Sequence, residues 1–211
     1  RAFEYCRHLA SFNIPNSVVN IGAYAFNECT SLESIVIPDN VENLGRYSFY
    51  NCNSLASVKV GNEIRTINGY TFCKFSSLTS VTLPENLTTI GNGAFSTCSS
   101  LSSVTIPDRV KNIGKYAFAL TALYEIHIPD NVVSIEDYCF QDCSYLIHAT
   151  IGQNVKNIGY RTFKNCNRLS SVIWNTRNCI EAPNFPSYDK ITSFTFGDSV
   201  EYIPYALCNS M

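Results

Sequence analysis

The stretch from Ala94 to Gly114, AFSTCSSLSSVTIPDRVKNIG, decides the fold, because the chain keeps returning to it. Phe95 has counterparts at Phe3, Phe26, Phe49, Phe72, Phe118, Phe140, Phe163 and Phe185. The interval is 23 residues, shortened to 22 between Phe118 and Phe140 and between Phe163 and Phe185. Around each Phe the pattern A-F-x-x-C-x-x-L-x-S-V-x-I-P-x-x-V-x-x-I-G recurs, seen cleanly in Cys98, Leu101, Val104, Ile106-Pro107, Val110 and Ile113-Gly114. A fixed period of this length marks a solenoid in which each repeat is one coil.

Within a coil, L-x-x-V-x-I alternates with period two, uses β-branched residues and stops at Pro or Gly, so it predicts a short strand. The segment V-x-x-I-G changes the period and turns the chain. The stretch from Gly to Cys, as in Gly114-Lys115-Tyr116-Ala117-Phe118, has room for one or two helical turns. The expected fold is therefore an α/β, right-handed solenoid: a parallel sheet of short strands along one face, about 4.8 Å apart, and short helical turns along the other. One coil cannot bury its own apolar set against the entropy of ordering it, so stability has to come from neighbours stacking.

The pattern covers residues 1–211 as one domain. Repeats are regular over 1–163 and irregular over 164–190, where the chain runs through Trp174-Asn175-Thr176-Arg177-Asn178-Cys179 to Pro183 and returns to the template at Phe185 and Tyr188. A final partial repeat, 191–211, places Ile191, Phe194, Phe196, Val200 and Ile203 on template positions, then Cys208 in the Phe slot and Met211 in the Cys slot. The chain opens and stops inside the pattern, which suggests a fragment of a longer protein.

Composition excludes several classes. Of 211 residues 45% are apolar, enough for a continuous core, and 15 Lys and Arg against 17 Asp and Glu give a net charge of −2 with no block of like sign. Nothing marks a nucleic-acid or anionic-membrane partner. No apolar run approaches the ~20 residues that span a bilayer, and the start, Arg1-Ala2-Phe3-Glu4-Tyr5-Cys6, does not read as a signal peptide.

The G-x-x-A-F-x-x-C-x-x-L core resembles the BspA-like subfamily of leucine-rich repeats over nearly the whole chain. The stretch Trp174 to Cys179, with Ile191 to Val200 and Ile203-Pro204 after it, looks like an irregular repeat of the same family's surface proteins. The resemblance implies a β/α superhelix on long cell-surface or secreted proteins of host-associated microbes, some of them described as adhesins for matrix proteins such as fibronectin or fibrinogen. The positions that match make the fold, so no binding residue is carried over from the family, and fold does not fix function.

Cys6, Cys29, Cys52, Cys98, Cys143 and Cys166 all lie three residues after the repeat Phe. Stacked about 5 Å apart and pointing the same way, they fit buried free thiols better than disulfides, whose Cβ atoms converge to about 3.5–4.5 Å. Cys73 and Cys139 read as packing substitutes, and Cys179 is unexplained. There is no C-x-x-C, no H-E-x-x-H and no phosphate-binding glycine loop, and most Ser occupy repeated slots, so neither a metal, a cofactor nor an enzyme is expected.

Two columns should face outward from the sheet, since side chains alternate across a strand. One runs Ser11, Ser34, Ser57, Ser80, Ser103, Glu125, His148, Ser171, Ser193; the other Asn13, Val36, Lys59, Thr82, Thr105, His127, Thr150, Ile173, Thr195. Against this Ser and Thr background, Tyr124, Glu125, His127 and His148, with Thr105 and Thr150 beside them, form the one local departure. They are either a polar recognition patch or ordinary variation on a solvated face. A further ladder, Tyr24, Tyr47, Tyr70, Tyr116 and Tyr138, is interrupted at Gly93 and ends at Arg161; it either contributes to recognition or, the reading favoured, covers the helical side of the core. The expected function is a cell-surface or secreted binding and adhesion module for a host extracellular protein or glycan. The alternative is a structural spacer that presents another domain.

Overall fold

The computed structural model describes residues 1–181, 183, 185, 190–204 and 207. The template readings of Tyr188, Cys208 and Met211 lie outside them. Every strand pairing is parallel and joins one coil to the next.

The V-x-x-I-G segments supply one ladder of two-residue strands: β1 (Asn20–Ile21) pairs β3 (Asn43–Leu44), and β5 (Thr66–Ile67), β7 (Thr89–Ile90), β8 (Asn112–Ile113), β10 (Ser134–Ile135) and β12 (Asn157–Ile158) follow in chain order. These seven rungs mark about seven regular turns. Between β3 and β5 the Asn68 amide donates to the Leu44 carbonyl at 2.6 Å, a side chain standing in for the strand bond. The L-x-x-V-x-I segments form the outer sheet in two pieces: β2 (Ile35–Val36), β4 (Ser57–Lys59) and β6 (Ser80–Thr82), then β9 (Glu125–Ile128), β11 (His148–Ile151), β13 (Ser171–Trp174) and β14 (Ser193–Phe196).

The stacking expected from the Phe period is present throughout. All nine Phe rings form one column from Phe3 to Phe185, with successive centroids between 5.1 and 5.9 Å apart. From Phe49 to Phe163 each is fully buried. This column, with the Leu, Val and Ile of the strand and turn slots around it, makes one core shared by consecutive coils. A buried aromatic of this kind contributes through its area and through offset stacking, and neither is available to an isolated coil.

The expected helical turns are not formed: the described residues contain no helix. Tyr24, Tyr47, Tyr70, Tyr116, Tyr138 and Arg161 all have left-handed backbone, φ between 53° and 59°, and so do Glu28, Asn51, Lys74, Thr97, Leu120, Asp142 and Asn165 four residues further on. A left-handed residue every four steps breaks a helix after one turn. It also swings alternate N–H groups out along the solenoid axis. Thus Ala25 N–H bonds within its coil to Gly22, while Tyr24, Phe26 and Glu28 donate to Arg46, Ser48 and Tyr50 of the next. The same triplet recurs from coil to coil, so this face is a ladder of hydrogen-bonded turns. Left-handed backbone costs a non-Gly residue about 1–2 kcal/mol, and the bond to the next coil offsets it. At Gly93, φ 59°, the tyrosine ladder is interrupted and the Tyr70 ring lies where a Cβ would stand.

The tyrosines cover this side of the core, as favoured above, though over turns and not helices. Tyr24, Tyr47 and Tyr70 stack with centroids 5.0 and 4.9 Å apart, and Tyr116 lies 4.9 Å from Tyr138. Arg161 ends the run by placing its guanidinium over Tyr160 at 4.8 Å.

Candidate functional site

The sheet rungs place the polar departure. Register pairs Glu125 with His148 and His127 with Thr150, while the alternate residues Ile126, Ile128, Ala149 and Ile151 are buried. The pleat therefore turns Glu125, His127 and His148 to solvent side by side. Tyr124, just before β9, is 52% exposed and sets its ring edge-on to His148, centroids 6.2 Å apart.

The rung before them is different. Leu101 to Ile106 repeats the template faithfully, yet forms no strand, and the sheet divides there into its two pieces. Tyr124 N–H still reaches Ser102 C=O at 3.1 Å. Beyond it, no backbone N–H or C=O of Ser103, Val104, Thr105 or Ile106 bonds to another group among the described residues. Beneath the gap the coil is intact: Phe95 and Thr97 N–H donate to Ala117 and Ala119 at 2.8 Å each, and Phe95 stacks on both neighbours. The interruption is confined to the outer sheet.

A depression of about 280 Å³ occupies the gap, lined by Ser103, Val104, Thr105, Ile106, Glu125, Ile126, His127, His148 and Thr150. Five of the six residues singled out from sequence, Thr105, Glu125, His127, His148 and Thr150, thus line one feature. Tyr124 stands at its edge through His148. Sequence reasoning missed Ser103, Val104 and Ile106, and above all the broken rung. The sequence carries no signal for the break: the 22-residue interval that follows leaves β8 and β10 paired, and an equally short interval leaves β13 and β14 paired.

Other candidate chemistry resolves into scaffold. The thiols of Cys29, Cys52, Cys98, Cys143 and Cys166 each donate to the carbonyl of the Phe one coil back, at 3.1–3.2 Å. At Phe3, Phe26 and Phe140 that carbonyl also accepts the backbone N–H of the Cys three residues on, so the thiol fills its second lone pair. Thr121, in the Cys slot of the short coil, bonds Phe118 C=O at 2.8 Å instead. The nine described cysteines are free thiols. Burial pushes the Cys98 and Cys139 thiols well above the usual range, and Cys73 and Cys179 up to about 11. These are poor nucleophiles. No group of three or more His, Cys, Asp or Glu among the described residues is placed to hold a metal ion.

Two apolar side chains also stand out on the sheet face, Val36 at 62% and Ile173 at 41% exposure. They sit in the second outward column, on coils well apart, and make no common patch.

Comparison with known proteins agrees with the geometry. The model of the BspA type leucine rich repeat region matches residues 1–121 and 89–210, in six copies. Among solved structures, a T. pallidum leucine rich repeat protein is 29% identical, covering 76% of this chain and 78% of its own, with a TM-score of 0.70. A leucine rich cell surface protein from Faecalibacterium prausnitzii is 25% identical over 94% of this chain and 73% of its own, TM-score 0.53. No curated protein matches the chain.

Proposed function

The chain belongs to the BspA-type leucine-rich-repeat family, and on that premise we propose that it is a cell-surface or secreted binding and adhesion module that recognises a host extracellular protein or glycan. The observation that carries the reading is the gathering of Thr105, Glu125, His127, His148 and Thr150 around one depression, on a sheet face whose outward columns are otherwise mostly Ser and Thr. A solvated face has no need of such a cluster, whereas recognition uses a few convergent polar groups in a concavity. Placement at the cell surface is supported by the family and by the F. prausnitzii neighbour, itself a cell surface protein. We read the role as non-catalytic, because among the described residues no Ser or Thr hydroxyl of the depression is hydrogen-bonded to His127 or His148, as an activated nucleophile would be.

The test is a binding screen of the purified chain against extracellular matrix proteins and glycans. It is run beside a variant carrying Glu125→Ala, His127→Ala and His148→Ala together. Loss of capture by the triple variant supports the module. Capture of nothing by the parent chain favours the spacer, whose surface needs only its ladders.

A further inference from the structure

We infer that the broken rung is a glycan-binding slot, taking a neutral polyhydroxylated ligand with its sugar hydroxyls directed between Ser103–Ile106 and Glu125–His127. The inference rests on the binding-module reading above and names the chemistry of its ligand.

The argument is one of hydrogen-bond complementarity. In the intact rungs, backbone groups point along the solenoid axis at the next coil, as Val60 N–H does to Thr82 C=O at 3.2 Å. Over Ser103 to Ile106 the corresponding groups are unpaired among the described residues, and those that would bond to the next coil, as Ile106 N–H would in the place of Val60 N–H, are left toward the depression, so the slot presents backbone N–H donors and C=O acceptors together. Around them stand Ser103, Thr105 and Thr150 hydroxyls, which both donate and accept, the Glu125 carboxylate, which accepts, and the two imidazoles, which do either according to tautomer. A cationic side chain only donates and a carboxylate only accepts, so each would leave half of this set unmatched. A hydroxyl does both from a single atom, and a sugar carries several at close, rigid spacing.

Two further features agree. Tyr124 offers a half-exposed ring at the rim, held edge-on by His148, which suits the apolar C–H face of a pyranose. The depression, at about 280 Å³, lies at the small end of the ~300–1,000 Å³ typical of compact ligands, which fits one or two sugar rings of a longer chain and not a folded partner. A displaced ordered water has its bonds replaced by a hydroxyl of similar geometry, which is where such a ligand gains.

The test titrates the chain with maltohexaose, cellohexaose, laminarihexaose, mannohexaose and chitohexaose, reading saturation-transfer NMR and calorimetry. The variants are the Glu125→Ala, His127→Ala, His148→Ala triple, the isosteric Thr105→Val, and Lys59→Ala on an intact rung as a control. The expected result is saturable binding of at least one oligosaccharide, weakened about tenfold or more by the triple variant, weakened less by Thr105→Val and unchanged by Lys59→Ala. Binding of none of the five, or binding that the triple variant leaves intact, overturns the inference. Enzymatically deglycosylated matrix proteins form the second arm. If these are captured through the same three residues while no oligosaccharide binds, the glycan assignment fails and the binding module stands; if neither arm binds, both fall.

Discussion

The rungs from Ile35 to Thr82 and the rung from Ser103 to Ile106 share one template and differ in pairing. In the first region Val58 aligns with Val81 and Ile35 with Val58, and the strands bond in register. In the second the sequence Ser103-Val104-Thr105-Ile106 is as strand-like as any, and no strand forms. The length of the coil is not what differs: the 22-residue step from Phe163 to Phe185 still pairs Ser171 with Ser193 and Trp174 with Phe196, and Asn112 pairs with Ser134 across the short coil after Phe118. The rung at Ser103 to Ile106 is unpaired on both sides, toward β6 as well as toward β9. Local propensity sets what a segment prefers and not whether it is paired.

The broadest way to break this comparison is through the core beneath it. If the Phe column is equally continuous under both regions, Phe49→Ala and Phe118→Ala each cost about 3–5 kcal/mol in chemical denaturation, as for a fully buried aromatic. A much smaller loss for Phe118→Ala would mean that the gap extends inward.

A sharper variant inserts one Ser after Leu120, restoring the 23-residue interval. Because the equally short coil before β14 pairs fully, the expected result is that the backbone of Ser103 to Ile106 stays open. New amide protection at Val104 and Ile106, each regained bond adding about 0.5–1.5 kcal/mol, would instead make the short coil the cause.

The Phe, Leu, Val and Ile slots make the repeat audible because burial demands the same apolar residue at the same height in every coil, and the outward columns follow from the pleat. The turn face was misread. Gly-Lys-Tyr-Ala-Phe has ordinary helix formers, and nothing in Tyr116 or Arg161 announces φ near 55°, since only stacking against the next coil stabilises it. The site was half legible. Glu125, His127 and His148 depart visibly from the Ser and Thr background, but the free backbone of Ser103 to Ile106 carries no residue signature at all.

The thiol ladder should not notice the gap. Cys52→Ala and Cys98→Ala, on intact and interrupted coils, are each expected to lose about 1–3 kcal/mol, since both thiols fill a Phe carbonyl and a closed space. In native alkylation Cys6, partly exposed, reacts ahead of the eight buried described thiols. For Cys73, raised to about 11 by burial, the folded state favours the neutral thiol. Its contribution is complete below the ordinary thiol value and is lost as pH rises through about 11, so denaturant stability should fall over that window and the fall should be smaller in Cys73→Ala.

The smallest expected effect belongs to the exposed pair Lys115–Asp137, 2.9 Å apart, on the turn side of the coils next to the gap. The Lys115 ammonium holds the Asp137 carboxyl below its usual range. That contribution is present above the ordinary carboxylate value and lost as acid protonates the folded form, so any difference between the parent and Asp137→Asn in denaturation should be slight at neutral pH and vanish in acid.

The most direct test of the interrupted rung is native-state hydrogen exchange resolved by residue. The account predicts that the amides of Val104 and Ile106 exchange as open backbone, while Val60 in the intact sheet and Phe95 and Thr97 in the same coil stay protected by their bonds to Thr82, Ala117 and Ala119. Protection of Val104 and Ile106 equal to that of Val60 would contradict it.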